Sequence, residues 1–489
     1  MRTRPLAQVF RFLRHPIDFS IVDSQVHTIR HLVSAGRLYV MSAEGVLVVN
    51  GLDNVLRADV TLDVRPYSNY GASDVRPVRV EDVILYVATD SQSVRDLSYS
   101  FQEDSHKSVD LTILVKHLFN GTRKIVDWAY QRSPDQVVWC VLDDGGMLSL
   151  TFVRDQRVFA WARHDTGDGD QFKAVGVVEE ADCDCVYFVV DRTIDGTTSM
   201  QVERMATREY GHWGKDAIYL DSAIKAIDAA VGPFPVTAFA ENPVRLRFAA
   251  PHGKAIGDIL DLESLLVNPA GTAIEDETVD PLLHERRFTV LDNAPGGVAT
   301  DITLAHHGTT TPVDGTATGT PPLGTSLTGY PIAHWPKVTH SGFLHLAGST
   351  INVLANGSVI DDVTVSATGT ITLDDAASFV VGGRRITSEL GLLEPMTSVS
   401  THGREKSTHW AIVNLLESRG GKIRGESEES YHDIKPSDPR QLNSPLQLIT
   451  GPVRQELVTW KQGRIEIFHD DPLPFACGGV IYRTKVANG

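Results

Sequence analysis

Short apolar runs, each bounded by turn residues, fill the chain from about Ile29 to Arg204. Runs of about four to eight residues that are rich in Val, Leu, Tyr and Trp predict β-strands. The clearest group reads KIVDWAY, QVVWCVL, GMLSLTFV and RVFAWARH, with turn residues at Arg132–Asp135, Asp143–Gly146 and Arg154–Gln156. The pattern between Lys124 and His164 predicts a four-stranded antiparallel meander, which is the unit of a β-propeller blade. A strand spacing of about ten residues is also typical of a β-sandwich.

The neighbouring segments extend this pattern and interrupt it once. FKAVGVV, CVYFVVDRT and SMQVERM follow the meander, and Asp195-Gly196 predicts a tight hairpin turn. The interruption predicts a surface helix that begins at an N-cap, Ser108, and stops at Gly121. The residues at helical spacing in it are Leu111, Leu114, Val115 and Leu118, with Asp110 in the first turn.

Shifts in composition along the chain predict five parts, because 489 residues exceed what one core usually serves. Residues 1–28 are a connecting segment and 29–215 a propeller-like β domain. Residues 216–330 are a variable β insertion with a Gly/Thr-rich loop, in which His306 and His307 are expected to be solvated. Residues 331–395 are a small β domain, and 396–489 are a C-terminal β segment that returns to the main body.

Bulk composition argues against a membrane-spanning protein, a protein with a signal peptide and a protein that grips nucleic acid. The apolar fraction of 42% and mean hydropathy of −0.10 are typical of a soluble globular protein, and no run is apolar enough for a membrane helix. The basic N-terminus is interrupted by Arg11, Arg14 and His15, so it predicts no signal peptide. A net charge of −17 argues against a protein that grips nucleic acid, because that affinity comes chiefly from Lys and Arg.

Candidate chemistry is sparse. Cys183-Asp184-Cys185 lacks the second pair that a zinc site needs, and the four cysteines predict reduced thiols rather than a disulfide framework. The acidic loop Asp165–Asp170 lacks the glutamate of a calcium loop. Asp143-Asp144 and Asp361-Asp362 could be imagined as the paired carboxylates of a glycosidase, but turns favour Asp for local hydrogen bonding. Trp128, Trp139 and Trp161 lie on successive predicted strands, which favours core positions over a nucleic-acid platform.

From these observations the sequence predicts that the protein is not an enzyme. No G-x-S-x-G elbow, H-E-x-x-H pair or phosphate-binding loop is present. We therefore expect no catalytic residue, no cofactor and no metal ligand.

Several segments, recurring in the same order, resemble the tail nozzle (tail tubular) proteins of short-tailed bacteriophages. In the first half of the chain these segments are Val94–Phe101, Ile125–Gln131, Val138-Trp139 with Asp143–Gly145, and Arg192–Gly196. In the second half they are Val353–Gly357, Gly369–Leu373, Val380–Gly383 and Asp470–Pro474. The resemblance covers nearly all of this chain, but the family's usual N-terminal part, ahead of the position matching Phe19, has no counterpart.

The resemblance implies a fold and a role. The fold is mainly β, with a β-propeller-like domain and additional small sandwich-like or barrel-like units. The role is that of a structural virion protein, a homohexameric ring in the phage tail that retains double-stranded DNA and then conducts it during ejection. Implied partners are other copies of the chain, adaptor or portal-side tail proteins, and tail fibres or spikes, with DNA passing without specific binding. The implied location is the virion, after assembly in the host bacterial cytoplasm.

Two other function classes remain open from the sequence. One is a tail-associated carbohydrate-active enzyme, which activity on a capsule polysaccharide would identify. The other is a receptor-binding (adhesin) module, which specific binding of the isolated protein to host cells would identify.

Overall fold

The computed structural model describes most of the chain as β-structure. The described residues are 28–51, 63–100, 105–166, 169–180, 183–208, 217–226, 234–241, 244–263, 286–306, 310, 312, 332–395, 404–434 and 448–486. Across these ranges the chain forms 34 strands and short 3-10 turns but no α-helix, so the predicted mainly β class is confirmed. The predicted connecting segment at the N-terminus and most of the Gly/Thr-rich loop, with His307, lie outside them.

The chain divides into two compact units. Unit 1 comprises Met1–Thr193 and Thr197–Met205, and unit 2 comprises Ile194–Gly196 and Ala206–Gly489.

The described residues of unit 1 form four antiparallel sheets that follow one another along the chain. The first three are four-stranded meanders and the last is three-stranded. The first sheet holds β1 (Ile29–Ser34), β2 (Leu38–Ser42), β3 (Val46–Asn50) and β4 (Asp63–Ser68). The second holds β5 (Val78–Val80), β6 (Val83–Val87), β7 (Val94–Ser100) and β8 (Ser105–Asp110). The third holds β9 (Ile125–Gln131), β10 (Val137–Leu142), β11 (Met147–Val153) and β12 (Val158–His164), and the fourth holds β13 (Gln171–Glu180), β14 (Cys183–Ile194) and β15 (Thr197–Arg204).

Successive sheets of unit 1 share apolar cores, which makes the unit propeller-like. One cluster joins Met41 and Val48 of the first sheet to Tyr86 of the second. A larger cluster joins the second sheet to the third and includes Trp128 and Phe152. A third cluster packs Trp139, Val141 and Met147 on Phe172, Phe188 and Val190 of the fourth sheet. Each fully buried Val, Leu or Phe in these clusters contributes about 1.5–3 kcal/mol of stability.

The predicted meander from Lys124 to His164 is confirmed as β9–β12, and its tryptophans occupy the expected interior positions. Trp128 and Trp139 are 6% and 5% exposed. The Trp161 indole donates to the carbonyl of Leu111 at 3.0 Å. The predicted hairpin turn at Asp195-Gly196 is also confirmed, since both residues have positive φ, as a two-residue type I′ turn requires.

The predicted helix between Ser108 and Gly121 is wrong. Ser108 lies on β8 opposite Leu97 and receives a hydrogen bond from the Arg95 guanidinium at 2.9 Å. Only a 3-10 turn, Lys116–Leu118, follows. The spacing of apolar residues was misleading because Leu114 is 88% exposed whereas Leu118 is buried in the core. Pairing with β7 outweighs the weak local preference for helix.

The described residues of unit 2 form five further β assemblies. Its strands up to the barrel are β16 (Asp221–Lys225), β17 (Phe234–Glu241), β18 (Val244–Phe248), β19 (Ile259–Glu263), β20 (Arg286–Asp292), β21 (Asp301–His306) and β22 (Ile332–His334). Six of them, in the order β17-β18-β21-β20-β19-β22, close into a barrel around a core that includes Leu246, Phe288 and Trp335. Closure leaves these six strands without an unpaired sheet edge.

The remaining strands of unit 2 form four open sheets. They are β23 (Lys337–Ser341), β24 (Thr350–Ala355), β25 (Ser358–Thr364), β26 (Thr370–Ala377), β27 (Val380–Arg384), β28 (Ser388–Gly391), β29 (Lys406–Ser418), β30 (Lys422–Gly425), β31 (His432–Asp433), β32 (Ile449–Glu456), β33 (Ile465–His469) and β34 (Cys477–Val486). The sheets have the orders β16-β27-β24-β25, β23-β26, β28-β33-β30-β31 and β32-β29-β34. No helix in the described ranges is long and apolar enough to cross a membrane.

Candidate functional site

The carboxylate pairs that could have served a glycosidase act in local structure. Asp143 accepts the backbone N–H of Lys124 at 2.9 Å, and Asp144 pairs with the Arg123 guanidinium at 2.6 Å. Asp361 accepts from the side-chain amide of Asn352 at 2.7 Å. Asp143 and Asp144 lie at a turn, as the sequence predicts, whereas Asp361 and Asp362 lie within the strand Ser358–Thr364 and not at a turn.

The acidic loop Asp165–Asp170 leads into β13 and ends at a buried ionic centre. In it, Arg192 of β14 is fully buried. Its guanidinium donates to both carboxylate oxygens of Glu203 on β15, at 2.8 and 2.6 Å, and to Asp170 at 3.2 Å. Asp170 also accepts the backbone N–H of Thr193 at 2.9 Å. One arginine therefore connects β14 to β15 and to the chain before β13. Residues 167 and 168 of the loop lie outside the described ranges.

The Cys183-Asp184-Cys185 segment lies on β14, and its side chains have separate roles. The two sulfur atoms are 3.6 Å apart but form no disulfide, and Arg204 donates to Cys185 Sγ at 2.9 Å. The Arg132 guanidinium donates to Asp184, and this hydrogen bond lowers the pKa of the carboxyl. Among the residues that the structure describes, no three His, Cys, Asp or Glu side chains converge as a metal site would require.

The fourth sheet of unit 1 has an exposed apolar face and an outer edge formed by β15. Met200 and Val202 on β15 are 71% and 73% exposed, and Val178 on β13 is 51% exposed. Within the described ranges β15 pairs on one side only, with β14. The alternation SMQVERM was visible in the sequence and predicted the strand. It could not show that the strand is left at an edge.

In unit 2, the Asp470–Pro474 segment carries a cluster of charged groups. Asp470 is buried and accepts hydrogen bonds from Arg385 and, at 2.7 Å, from Lys422. The neighbouring His469 ring stacks on Phe475, and burial lowers the pKa of this histidine. The contacts of Asp470 attach this segment to Lys422 on β30 and to Arg385, which lies between β27 and β28, and the two cations compensate the charge of the carboxylate.

An exposed tryptophan lies on a rigidly held loop of unit 2. Trp460 is 63% exposed, and its backbone N–H donates to Ser427 Oγ at 3.1 Å. The next three backbone N–H groups, of residues 461–463, donate to one carboxylate oxygen of Glu426 at 2.5–3.0 Å. Burial alone would raise the pKa of Glu426, but these backbone donors lower it, so the carboxylate that holds the loop stays ionised.

No family model and no curated protein matches the chain. Among solved structures, one match is the exo-β-1,3-galactanase of Phanerochaete chrysosporium with β-1,3-galactotriose, at 10% identity over 83% of this chain and 95% of that chain, with a TM-score of 0.18. The same galactanase with galactose matches over 82% of this chain and 93% of that chain at 10% identity and the same TM-score of 0.18. A further match, described as a glycoside hydrolase, has 9% identity, covers 94% of this chain and 96% of that chain, and has a TM-score of 0.14.

These matches correct one prediction. The sequence predicted that the chain is not an enzyme, whereas the matching structures named above are glycoside hydrolases and not phage tail proteins. The exclusion of enzymatic activity is therefore withdrawn. TM-scores of this size carry no argument for a particular activity, and they assign no residue of this chain a catalytic role.

Proposed function

We propose that this protein is a structural subunit of a phage tail nozzle, which forms a homohexameric ring around the channel for double-stranded DNA. The observation that supports the proposal is the resemblance of ordered sequence segments to the nozzle family. Val94–Phe101 includes β7, Ile125–Gln131 is β9, and Arg192–Gly196 ends β14 and forms its turn. These segments build successive sheets of unit 1, so the resemblance concerns the framework of the unit rather than a single short motif.

The proposed role is passive conduction. With a net charge of −17, the chain offers a phosphate backbone little of the counterion release that drives DNA binding. DNA would be retained behind a constriction and then slide through without being held. Adaptor or portal-side proteins on one side and fibres or spikes on the other complete the tail in this proposal, which places the protein in the virion after assembly in the bacterial cytoplasm.

Negative-stain electron microscopy of the purified protein tests the ring. The expected result is a hollow particle with six-fold symmetry. A monomer in both microscopy and light scattering, at concentrations up to those reached in an infected cell, would contradict the proposal.

Fluorescence anisotropy with a labelled linear duplex tests the conduit. The isolated protein is expected not to bind at physiological salt. Submicromolar binding that weakens steeply as salt is raised would instead identify a protein that grips DNA, because such a slope reports phosphate contacts.

A second candidate is a carbohydrate-recognising module, either an adhesin or a carbohydrate-active enzyme. The specific observation in its favour is Trp460, an exposed indole on a loop fixed by Glu426 and Ser427. A rigid aromatic side chain offers a large contact area with little loss of conformational entropy on binding.

Binding to purified capsule polysaccharides tests this candidate. Trp460→Ala should abolish binding, whereas Phe159→Ala, which removes an exposed aromatic ring of unit 1, should not. The same incubations, assayed for new reducing ends, distinguish an enzyme from an adhesin. Binding that is equally strong in both variants, or absent from the unaltered protein, would count against a role for Trp460.

A further inference from the structure

In the residues that the structure describes, the fourth sheet of unit 1 has one strand fewer than its three predecessors. The first three sheets are four-stranded meanders, whereas β13, β14 and β15 form a sheet of three. The missing position is the one outside β15, where the fourth strand of each earlier meander lies. The described part of the chain leaves that position unfilled.

The hydrogen-bonding direction of β15 follows from two contacts. Met205 N donates to the carbonyl of Val186 at 2.9 Å, and the hydroxyls of Thr193 and Thr198 lie 3.0 Å apart across the two strands. Both contacts fit the β14–β15 pairing that the two-residue turn Asp195-Gly196 sets, in which Thr193 lies opposite Thr198 and Val186 lies opposite Met205. Since antiparallel residues alternate between hydrogen-bonded and non-hydrogen-bonded pairs, the backbone groups of Ser199 and Gln201 face β14. The backbone N–H and C=O groups of Thr198, Met200 and Val202 therefore face away from β14.

The outward edge of β15 lacks the features that protect natural sheet edges. Such edges usually carry Lys, Pro or a bulge, which prevent another strand from adding. Residues 197–202 read TTSMQV and contain no charge and no proline. Their two large apolar side chains, Met200 and Val202, are more than two-thirds exposed. This edge is therefore suited to receive a strand.

We propose that β12 of a second copy of the chain adds to β15 and supplies the fourth strand of this sheet. β12 is the outer strand of the third sheet, it is seven residues long against eight in β15, and its Val158 and Phe159 are 38% and 43% exposed. The inference rests on the proposed ring and names the contact that builds it.

Charge complementarity favours antiparallel pairing of the two strands. Arg163 lies near the end of β12, and an exposed Asp195 precedes β15. An exposed Asp155 precedes β12, and Arg204, which also pairs with Glu180 at 3.1 Å, ends β15. Antiparallel pairing brings each arginine toward the opposite aspartate. Because the contact joins two different edges, it is heterologous, and heterologous contacts build rings when the rotation closes.

Charges placed on the edge test the inference. The double variant Met200→Lys with Val202→Lys should convert the ring to monomers while far-ultraviolet circular dichroism stays unchanged, because lysines on an edge strand oppose strand addition. The matched control is Leu114→Lys, at a side chain that is 88% exposed but lies outside the edge. The control should remain a ring. A double variant that still forms rings would overturn the inference and leave the proposed function standing.

Cross-linking identifies the strand that adds to the edge of β15. Copies carrying Met200→Cys are mixed with differently tagged copies carrying Val158→Cys, the residue that lies opposite Met200 when Arg163 lies opposite Asp195, and oxidised, with unaltered chains as the control for native thiols. A covalent pair between the two tags is expected. Cross-linking of Met200→Cys copies only to each other would replace β12 by a two-fold pairing of β15, which would overturn the inference. The mixed cross-link in particles that are not closed six-fold rings would support the strand contact and reject the nozzle.

Discussion

Removing the buried Arg192 guanidinium should destabilise unit 1 more than the loss of any exposed ion pair. Arg192→Met leaves the carboxylates of Asp170 and Glu203 without their cation, and the Asp170 side chain is only 3% exposed. Breaking a buried pair by removing one partner typically costs about 3–5 kcal/mol, chiefly because the remaining charge stays desolvated. For a unit of this size we expect the midpoint of thermal unfolding to fall by about 6–20 °C.

Urea denaturation gives the overall loss, and hydrogen-exchange mass spectrometry locates it. Peptides from β14 and β15 should lose protection first, because Arg192 connects these strands. The matched control is Arg65→Met, which breaks an ion pair with Asp63. The side chain of Arg65 is 67% exposed and that of Asp63 is 50% exposed. Exposed pairs contribute about 0–1 kcal/mol, so the control should unfold almost like the unaltered protein. A loss below about 1 kcal/mol in Arg192→Met would refute the reasoning, since the buried carboxylates would then be stabilised by something else.

Three further outcomes follow from single contacts. Gly71→Ala should abolish folding of the first two sheets, because the added methyl would lie 1.7 Å from a backbone oxygen. The control Gly176→Ala should be tolerated, because its methyl would have no atom within 4 Å. Circular dichroism and thermal melts of the two variants compare them directly. Burial raises the pKa of the Cys140 thiol. A thiol reagent at mildly alkaline pH should therefore label this residue only after unfolding. Labelling of the native protein would show that β10 opens. The Arg132 hydrogen bond lowers the folded-state pKa of Asp184, so its stabilisation is present above the unfolded-state value and disappears as pH falls through the folded-state value. Arg132→Ala should therefore lower stability at neutral pH and differ less from the parent in strong acid, and an effect independent of pH would contradict this.

Local patterns predicted the strands well where local and tertiary preferences agree. The β9–β12 meander has short apolar runs and strong turn formers at each link, and the Asp195-Gly196 turn needs only its own two residues. The segment from Ser108 failed because its pairing with β7 is decided by residues more than ten positions earlier, including Arg95. Helical spacing of a few apolar residues is a weak signal against such pairing.

The candidate sites depend on contacts that are distant in sequence. Asp170 and Glu203 lie 22 and 11 positions from Arg192, and nothing in their local sequence marks them as its partners. The open edge of β15 is a property of the sheet order, which the strand's own residues do not encode. The enzyme prediction failed for a related reason, because the absence of a familiar sequence signature does not exclude residues that converge only in three dimensions.

The closed barrel of unit 2 also indicates where the chain can change length. Leu262 at the end of β19 is paired with Arg286 at the start of β20, so the chain between these two strands leaves and re-enters the barrel at adjacent positions. The entropy of closing a loop between fixed ends rises only slowly, by about 0.6 kcal/mol for each doubling of its length. An affinity tag or a fluorescent protein inserted between residues 264 and 285 should therefore leave the barrel folded, and it would provide a label for locating individual subunits in an assembled particle.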